Sequence, residues 1–203
     1  MIRPHKSRRG LSNVVSTLII LVVAVLLATV VTYFAINVVS TRVQEESLHV
    51  QKQHIWNNAT AQPGTSGYCL AALMVINTGG RDVVISKIAV RGQDCPWNQT
   101  GGTNQKFVLY RTLSDPITGD LGYVSNFNYT SGSVNQANIG TTQYNFTVAN
   151  NELILRSGDT MLMYVVNPDS VSVNDVGLTI GITLHSANAI YYVETNIQAV
   201  SSS

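Results

Sequence analysis

Residues 14–39 form a run of 26 residues with no charge, no glycine and no proline. A helix of that length is about 39 Å long at 1.5 Å per residue, and a bilayer's hydrocarbon core needs only about 20 residues. In lipid, a single segment satisfies its backbone amides only as a helix. The few polar side chains of the run, Ser16, Thr17, Thr29, Thr32, Tyr33 and Asn37, are compatible with that, because hydroxyls can bond back to their own helix. Arg3, Lys6, Arg8 and Arg9 precede the run, while Arg42 stands beside Glu45 and Glu46 after it. The positive-inside bias therefore places the N-terminus in the cytoplasm and everything beyond about residue 40 outside. An ordinary secretory signal fits poorly, since its apolar stretch is 7–15 residues and ends at a small-residue cleavage site. No such site follows residue 37.

The junction before the run reads Arg8-Arg9-Gly10-Leu11-Ser12. Basic residues, a glycine and then a long uncharged span resemble the class III signal peptide of type IV prepilins, and the chain is similar here to the archaeal pilin and archaellin group. The resemblance implies that a prepilin peptidase cuts on the cytoplasmic side between Gly10 and Leu11, and that the apolar helix is retained. Bacterial members carry a glutamate at the fifth mature position. Here that position is Val15, a departure shared by many archaeal pilins, and no glutamate contact can be invoked in docking. Ser12 or Asn13 would cap the helix. Val43, Leu48 and Val50 continue an apolar stripe, and no proline lies between Pro4 and Pro63. One rod of roughly 64 Å ending near His54 is expected. The expected division is a cleaved leader at 1–10, an assembly and transmembrane helix at 11–54, a linker at 55–67 and a surface domain at 68–203.

Beyond the linker the period changes to two. In 177–185, Leu178, Ile180, Ile182 and Leu184 alternate with Thr179, Gly181, Thr183 and His185, which reads as a half-buried strand. A short turn at Ser186-Ala-Asn188 leads into a second strand at 190–199. Further strands are expected at 68–77, 83–91, 107–112, 144–148, 152–155 and 160–166. The first of these is apolar on both faces and so suits a central position. Residues 113–151 are rich in Gly, Ser, Asn and Thr and read as a long exposed insertion. The expected fold class is α+β, a long N-terminal helix followed by an all-β sandwich of immunoglobulin style. Val75-Ile-Asn-Thr-Gly-Gly-Arg-Asp-Val and Leu155-Arg-Ser-Gly-Asp-Thr resemble hairpins of archaeal pilin and archaellin domains. The resemblance implies a helical homopolymer at the cell surface, assembled from a membrane-held precursor by pilus machinery, with adhesion or motility as its output. The start Leu11-Ser-Asn-Val-Val-Ser-Thr looks more like adhesion pilins than archaellins. A membrane-tethered surface binding protein is the rival reading.

Other chemistry finds little footing. Only 11% of residues are charged and the net charge is +1, so nothing points to nucleic acid. The four histidines, His5, His49, His54 and His185, form no zinc-protease spacing, and no nucleophile elbow occurs. Cys95 is followed by Pro96 and Trp97, without the histidines a copper site needs. No enzyme, cofactor or metal is expected, and Met161 and Met163 read as core residues of a strand. Cys69 and Cys95 are the only cysteines, and outside the cytoplasm such a pair is expected to form a disulfide. Candidate N-glycosylation acceptors are Asn58, Asn98, Asn128 and Asn145, each in an N-x-S/T sequon. Composition alone yields about as many, so only their placement is informative. Asn98 and Asn128 are expected to be more exposed than Asn145.

Overall fold

A computed structural model describes residues 9–43, 45–58, 68–99, 105–125, 127 and 135–200. The chain divides into two units at residues 44 and 45. The first is a single helix, α1 (Arg9–Val43), 35 residues long and so about 52 Å.

The second unit is a large mixed β-sheet. Its strands are β1 (Leu48–Asn58), β2 (Tyr68–Asn77), β3 (Val83–Val90), β4 (Gln93–Cys95), β5 (Asn98–Gln99) and β6 (Lys106–Leu113). They continue as β7 (Asn135–Ile139), β8 (Thr142–Val148), β9 (Leu153–Leu155), β10 (Thr160–Val166), β11 (Thr179–Ser186) and β12 (Ile190–Ala199). The order along the sheet is β4-β3-β11-β12-β1-β2-β10-β6-β8-β7, with β5 paired to β6 and β9 to β3. An N-terminal helix followed by a β-rich domain is thus what the chain forms.

Strand β12 joins two halves of the sheet. It lies antiparallel to β11, with Val193 opposite Ile182, and its end runs parallel to β1, with Ile197 opposite Ile55. The largest core cluster draws side chains from both halves: Leu73, Val75, Met161 and Met163 from β2 and β10, and Ile85, Ile88, Ile182 and Leu184 from β3 and β11. The period of two explains why β2 serves two cores. Cys69, Ala71, Leu73 and Val75 enter this cluster, while Leu70, Ala72 and Met74 enter a second one on the opposite face. That second core is closed by the expected insertion, through Leu121, Phe127, Ala137, Ile139 and Phe146. There Phe127, Phe146 and Tyr164 meet edge to face, with ring centroids 5.0–6.1 Å apart. Such pairs contribute about 0.5–1.5 kcal/mol each beyond burial.

The strands expected at 68–77, 160–166 and 190–199 are found with those bounds as β2, β10 and β12. The helix expected at 11–54 is shorter: α1 stops at Val43, and the residues read as its last turns form β1. This strand makes nine register pairs with β2, from Leu48 opposite Asn77 to Asn58 opposite Tyr68. The ladder supplies hydrogen bonds and two buried faces, and these outweigh the local helical stripe. Residues 55–58, expected as linker, belong to the same strand; 59–67 lie outside the described residues. The domain thus begins near Glu45 instead of residue 68.

The entry into β1 is tied down. The Ser47 carbonyl accepts hydrogen bonds from the backbone N–H groups of Thr78 (2.9 Å) and Gly79 (3.1 Å), and from the Thr78 hydroxyl (3.2 Å). The Glu46 carboxylate accepts from the Ser186 hydroxyl and, at 2.9 Å, from the Asn188 amide.

Candidate functional site

The candidate surface is α1 itself. Within Asn13–Thr41 an 18-residue window reaches a mean hydropathy of 3.1, and every residue of 13–41 is exposed. Leu26 and Leu27 are each 60% exposed and Phe34 is 69% exposed. Apolar side chains surround the helix on every side, a pattern that requires apolar surroundings. The threonines do not break that surface. The hydroxyls of Thr29 and Thr32 donate to the carbonyls of Val25 and Ala28, both at 2.7 Å. Thr17 and Thr41 donate to Val14 and Asn37, both at 2.9 Å. With their protons spent inside the helix, these side chains present mainly methyl groups outward. Soluble monomers seldom expose a continuous apolar patch beyond a few hundred Å². Such a cylinder suits either acyl chains or other helices of the same kind. It offers nothing for acid–base or nucleophilic chemistry.

Gly10 and Leu11 lie at the start of α1 with helical backbone. Residues 1–8, the rest of the expected leader, lie outside the described residues.

Cys69 and Cys95 are both free and both buried. The expected disulfide is therefore absent, and the two thiols instead fill the larger core as small apolar groups. Cys95 sits opposite Ile88 in the short β3–β4 ladder, and its sulfhydryl lies 3.8 Å from the Gln93 carbonyl. The Cys69 N–H donates to the Asn167 side chain at 3.1 Å. Burial pushes both thiols up to about 12, and the proximity of Cys95 adds to the effect on Cys69. Neither is a nucleophile at neutral pH.

The sequons sort differently from expectation. Asn58 is 6% exposed and donates to the Tyr123 hydroxyl at 3.2 Å, so the folded domain withholds it. Asn98 is half-buried and donates to Asn150 at 2.7 Å. Asn145 is exposed on the β7–β8 hairpin, where its carbonyl oxygen accepts from Gln136 at 2.9 Å. Of these three it is the most open to modification. Asn128 lies outside the described residues.

The loop acids have structural work. Asp175 accepts from the Ser172 hydroxyl (2.7 Å) and backbone N–H (2.8 Å) and from Arg91 (2.8 Å), which together hold its carboxyl below the usual range. Asp169 pairs with Lys106. Asp120 pairs with the His54 imidazole at 3.0 Å. Burial alone would raise Asp120, but the His54 hydrogen bond and charge outweigh it and lower it. His54 also stacks on Trp56, with centroids 5.1 Å apart and planes 14° from parallel. Lys52 occupies the left-handed region at φ 51°, at the break in β1–β2 register between Gln51 and His54, and its ammonium donates to the Thr118 (2.7 Å) and Gly119 carbonyls. Sequence reasoning missed this group because it read Lys52 and His54 as helical. The available signal was the buried Ile55-Trp56 pair that follows. Among the described residues, no three His, Cys, Asp or Glu side chains are grouped to hold a metal.

No family model matches the chain. No curated protein matches it either.

Proposed function

We propose that this chain is the structural subunit of an extracellular type IV pilus of archaeal kind, assembled through α1 and used for surface adhesion. One observation carries the reading: a 29-residue apolar helix in which every residue is exposed, on a chain whose β domain has cores of its own. A helix that only anchored a protein would need about 20 residues. This one is about 43 Å long, and the basic head with Gly10 directly before it suits trimming and retention. In a precursor the helix lies in lipid. In a filament the same surface packs against α1 of neighbouring copies, where thin Val, Ala and Thr side chains permit close approach. A sandwich of immunoglobulin style belongs with this reading, and the larger core, which draws side chains from both halves of the sheet, supports it. Strand β12, parallel to β1, departs from a simple antiparallel version.

The test is electron microscopy of shed surface filaments, with mass spectrometry of their subunit. The expected result is filaments made of this chain, beginning at Leu11. Absence of the chain from filaments, or a subunit beginning at Met1, would refute the proposal. A chain found only as a membrane-bound monomer would favour the tethered-receptor reading. Gly10→Leu should leave an uncleaved precursor that does not polymerise.

A further inference from the structure

A shallow groove of about 720 Å³ lies where β3 leaves a gap on its outer edge. Strand β9 pairs with residues 83–85 of β3 and β4 with residues 88–90, so Ser86 opens onto the space between them. The groove is lined by Ser86, Trp97, Asn150, Asn151, Glu152 and Ile154, among others.

Three features of this lining are chemical. Trp97 is half-buried: it packs against the larger core while also lining the groove, and its carbonyl is fixed by the Val108 N–H at 3.0 Å. The indole thus offers an apolar surface that is part core and part groove wall. Beside it stand amides that both donate and accept. Asn150 takes a hydrogen bond from Asn98 on its carbonyl oxygen at 2.7 Å, which orients the amide and leaves its N–H groups for another acceptor. Ser86 donates to the His185 carbonyl at 3.2 Å, leaving its oxygen to accept. Finally, Glu152 is the one ionisable side chain among the described lining residues, and it is exposed.

We propose that this groove is a binding site for a neutral sugar. Its ring would place an apolar C–H face on Trp97 while its hydroxyls exchange hydrogen bonds with Asn150, Asn151 and Glu152. Hydroxyl groups need partners that donate and accept, which this set supplies. An anionic ligand would meet Glu152 with no cation among the described lining residues to offset it. A quaternary ammonium would use the indole and the carboxylate but would leave the amides unmatched. The idea rests on the adhesive reading for its purpose, and it names the class of ligand.

The experiment uses the full chain in detergent micelles, titrated calorimetrically with cellotriose, maltotriose and N,N′,N″-triacetylchitotriose, and with choline and glucuronate as controls. At least one neutral trisaccharide is expected to bind, with the affinity falling about tenfold or more in Trp97→Ala, as for a central aromatic contact. Because Trp97 also touches the core, Glu152→Gln and Asn151→Ala provide exposed variants that leave the fold alone, and each is expected to weaken binding several-fold. No binding by any neutral sugar, binding indifferent to Glu152 and Asn151, or preference for choline or glucuronate would overturn the proposal. Filament formation is scored in the same variants. Sugar binding lost with filaments intact separates this site from assembly, while absent filaments with sugar binding retained would count against the pilus reading alone.

Discussion

The two units of the chain meet the same physical demand in opposite ways. In the β domain, Leu73, Met163, Leu162 and Tyr164 are fully buried against partners from the same chain. In α1 the apolar side chains are as large, yet Val30 and Val31 are each 64% exposed. Polar groups differ too. The threonines of α1 fold back onto their own carbonyls. In the domain, polar side chains also reach across the fold, as Asn77 does to the Leu155 carbonyl at 3.1 Å. The domain has cores of its own, while the large apolar side chains of α1 stand exposed.

The sharpest way to break that comparison is to separate the units. Eighteen large apolar side chains of α1 stand exposed. At roughly 1.5–3 kcal/mol for each one fully buried, the helix forgoes some tens of kcal/mol in water. A chain starting at Glu45 should therefore be soluble, folded and monomeric in plain buffer, while the full chain should sediment or require detergent. Size-exclusion chromatography and circular dichroism check this. A truncated domain that unfolds or aggregates would mean that the cores described above are insufficient. Within α1, Leu26→Lys should cost about 3 kcal/mol in membrane insertion, read as loss of the chain from the membrane fraction.

A smaller effect sharpens the contrast. Leu73→Ala removes a side chain with zero exposure in the most central strand, and the expected loss is about 2–5 kcal/mol in denaturant unfolding of the domain. Leu21→Ala makes the same chemical change on a residue that is 64% exposed. It should leave domain unfolding unchanged and, if the pilus reading holds, weaken filaments instead.

These differences also decide what the sequence could reveal. α1 was legible because the absence of charge over 26 residues needs no context. β2 and β10 were legible because residues such as Leu70 through Val75 are apolar on both faces over a strand's length. β1 was not. His49-Val50-Gln51-Lys52 is polar and striped like a helix end, and its strand state depends on partners at 68–77 and, in parallel, at 197–199. The left-handed Lys52 and the reach of His54 to Asp120 are likewise products of distant pairing. In the candidate site the apolar span and its basic junction could be read directly. The exposure of the described sequons could not: Asn58 looked like linker and is core, while Asn145 looked like a strand interior and is outward-facing.

Gly79 tests the seam where the domain begins. A Cβ there would lie 2.6 Å from the Glu45 carbonyl oxygen and 2.8 Å from the Ser47 nitrogen, too close to backbone for a side-chain adjustment to relieve. Gly79→Ala should displace residues 45–47, weaken the three bonds to the Ser47 carbonyl and cost about 1–3 kcal/mol. Hydrogen exchange at Thr78 and Gly79 should rise before any change in the β2–β10 ladder. Unchanged protection would show that the docking of this segment is looser than its hydrogen bonds imply.

The smallest effect is one of pH, and it separates the units by charge. Hydrogen bonds from Ser172, with help from Arg91, hold the Asp175 carboxyl below its ordinary range. A carboxylate whose folded pKa is depressed contributes stability that is fully present above its unfolded value, near pH 4, and is lost as pH falls through the folded value. Asp175→Asn should thus lower the domain's denaturant midpoint slightly at pH 7. The gap from the parent should begin to narrow as pH falls below about 4, where the unfolded carboxyl protonates, and close only below the lower folded value, where the parent carboxyl is protonated too. The apolar run of α1 has no ionisable carboxylate between residues 14 and 39, so acid should leave its association with lipid or with its own kind unaffected. If filaments or membrane association weakened over the same pH interval as the domain, the independence of the two units would fail.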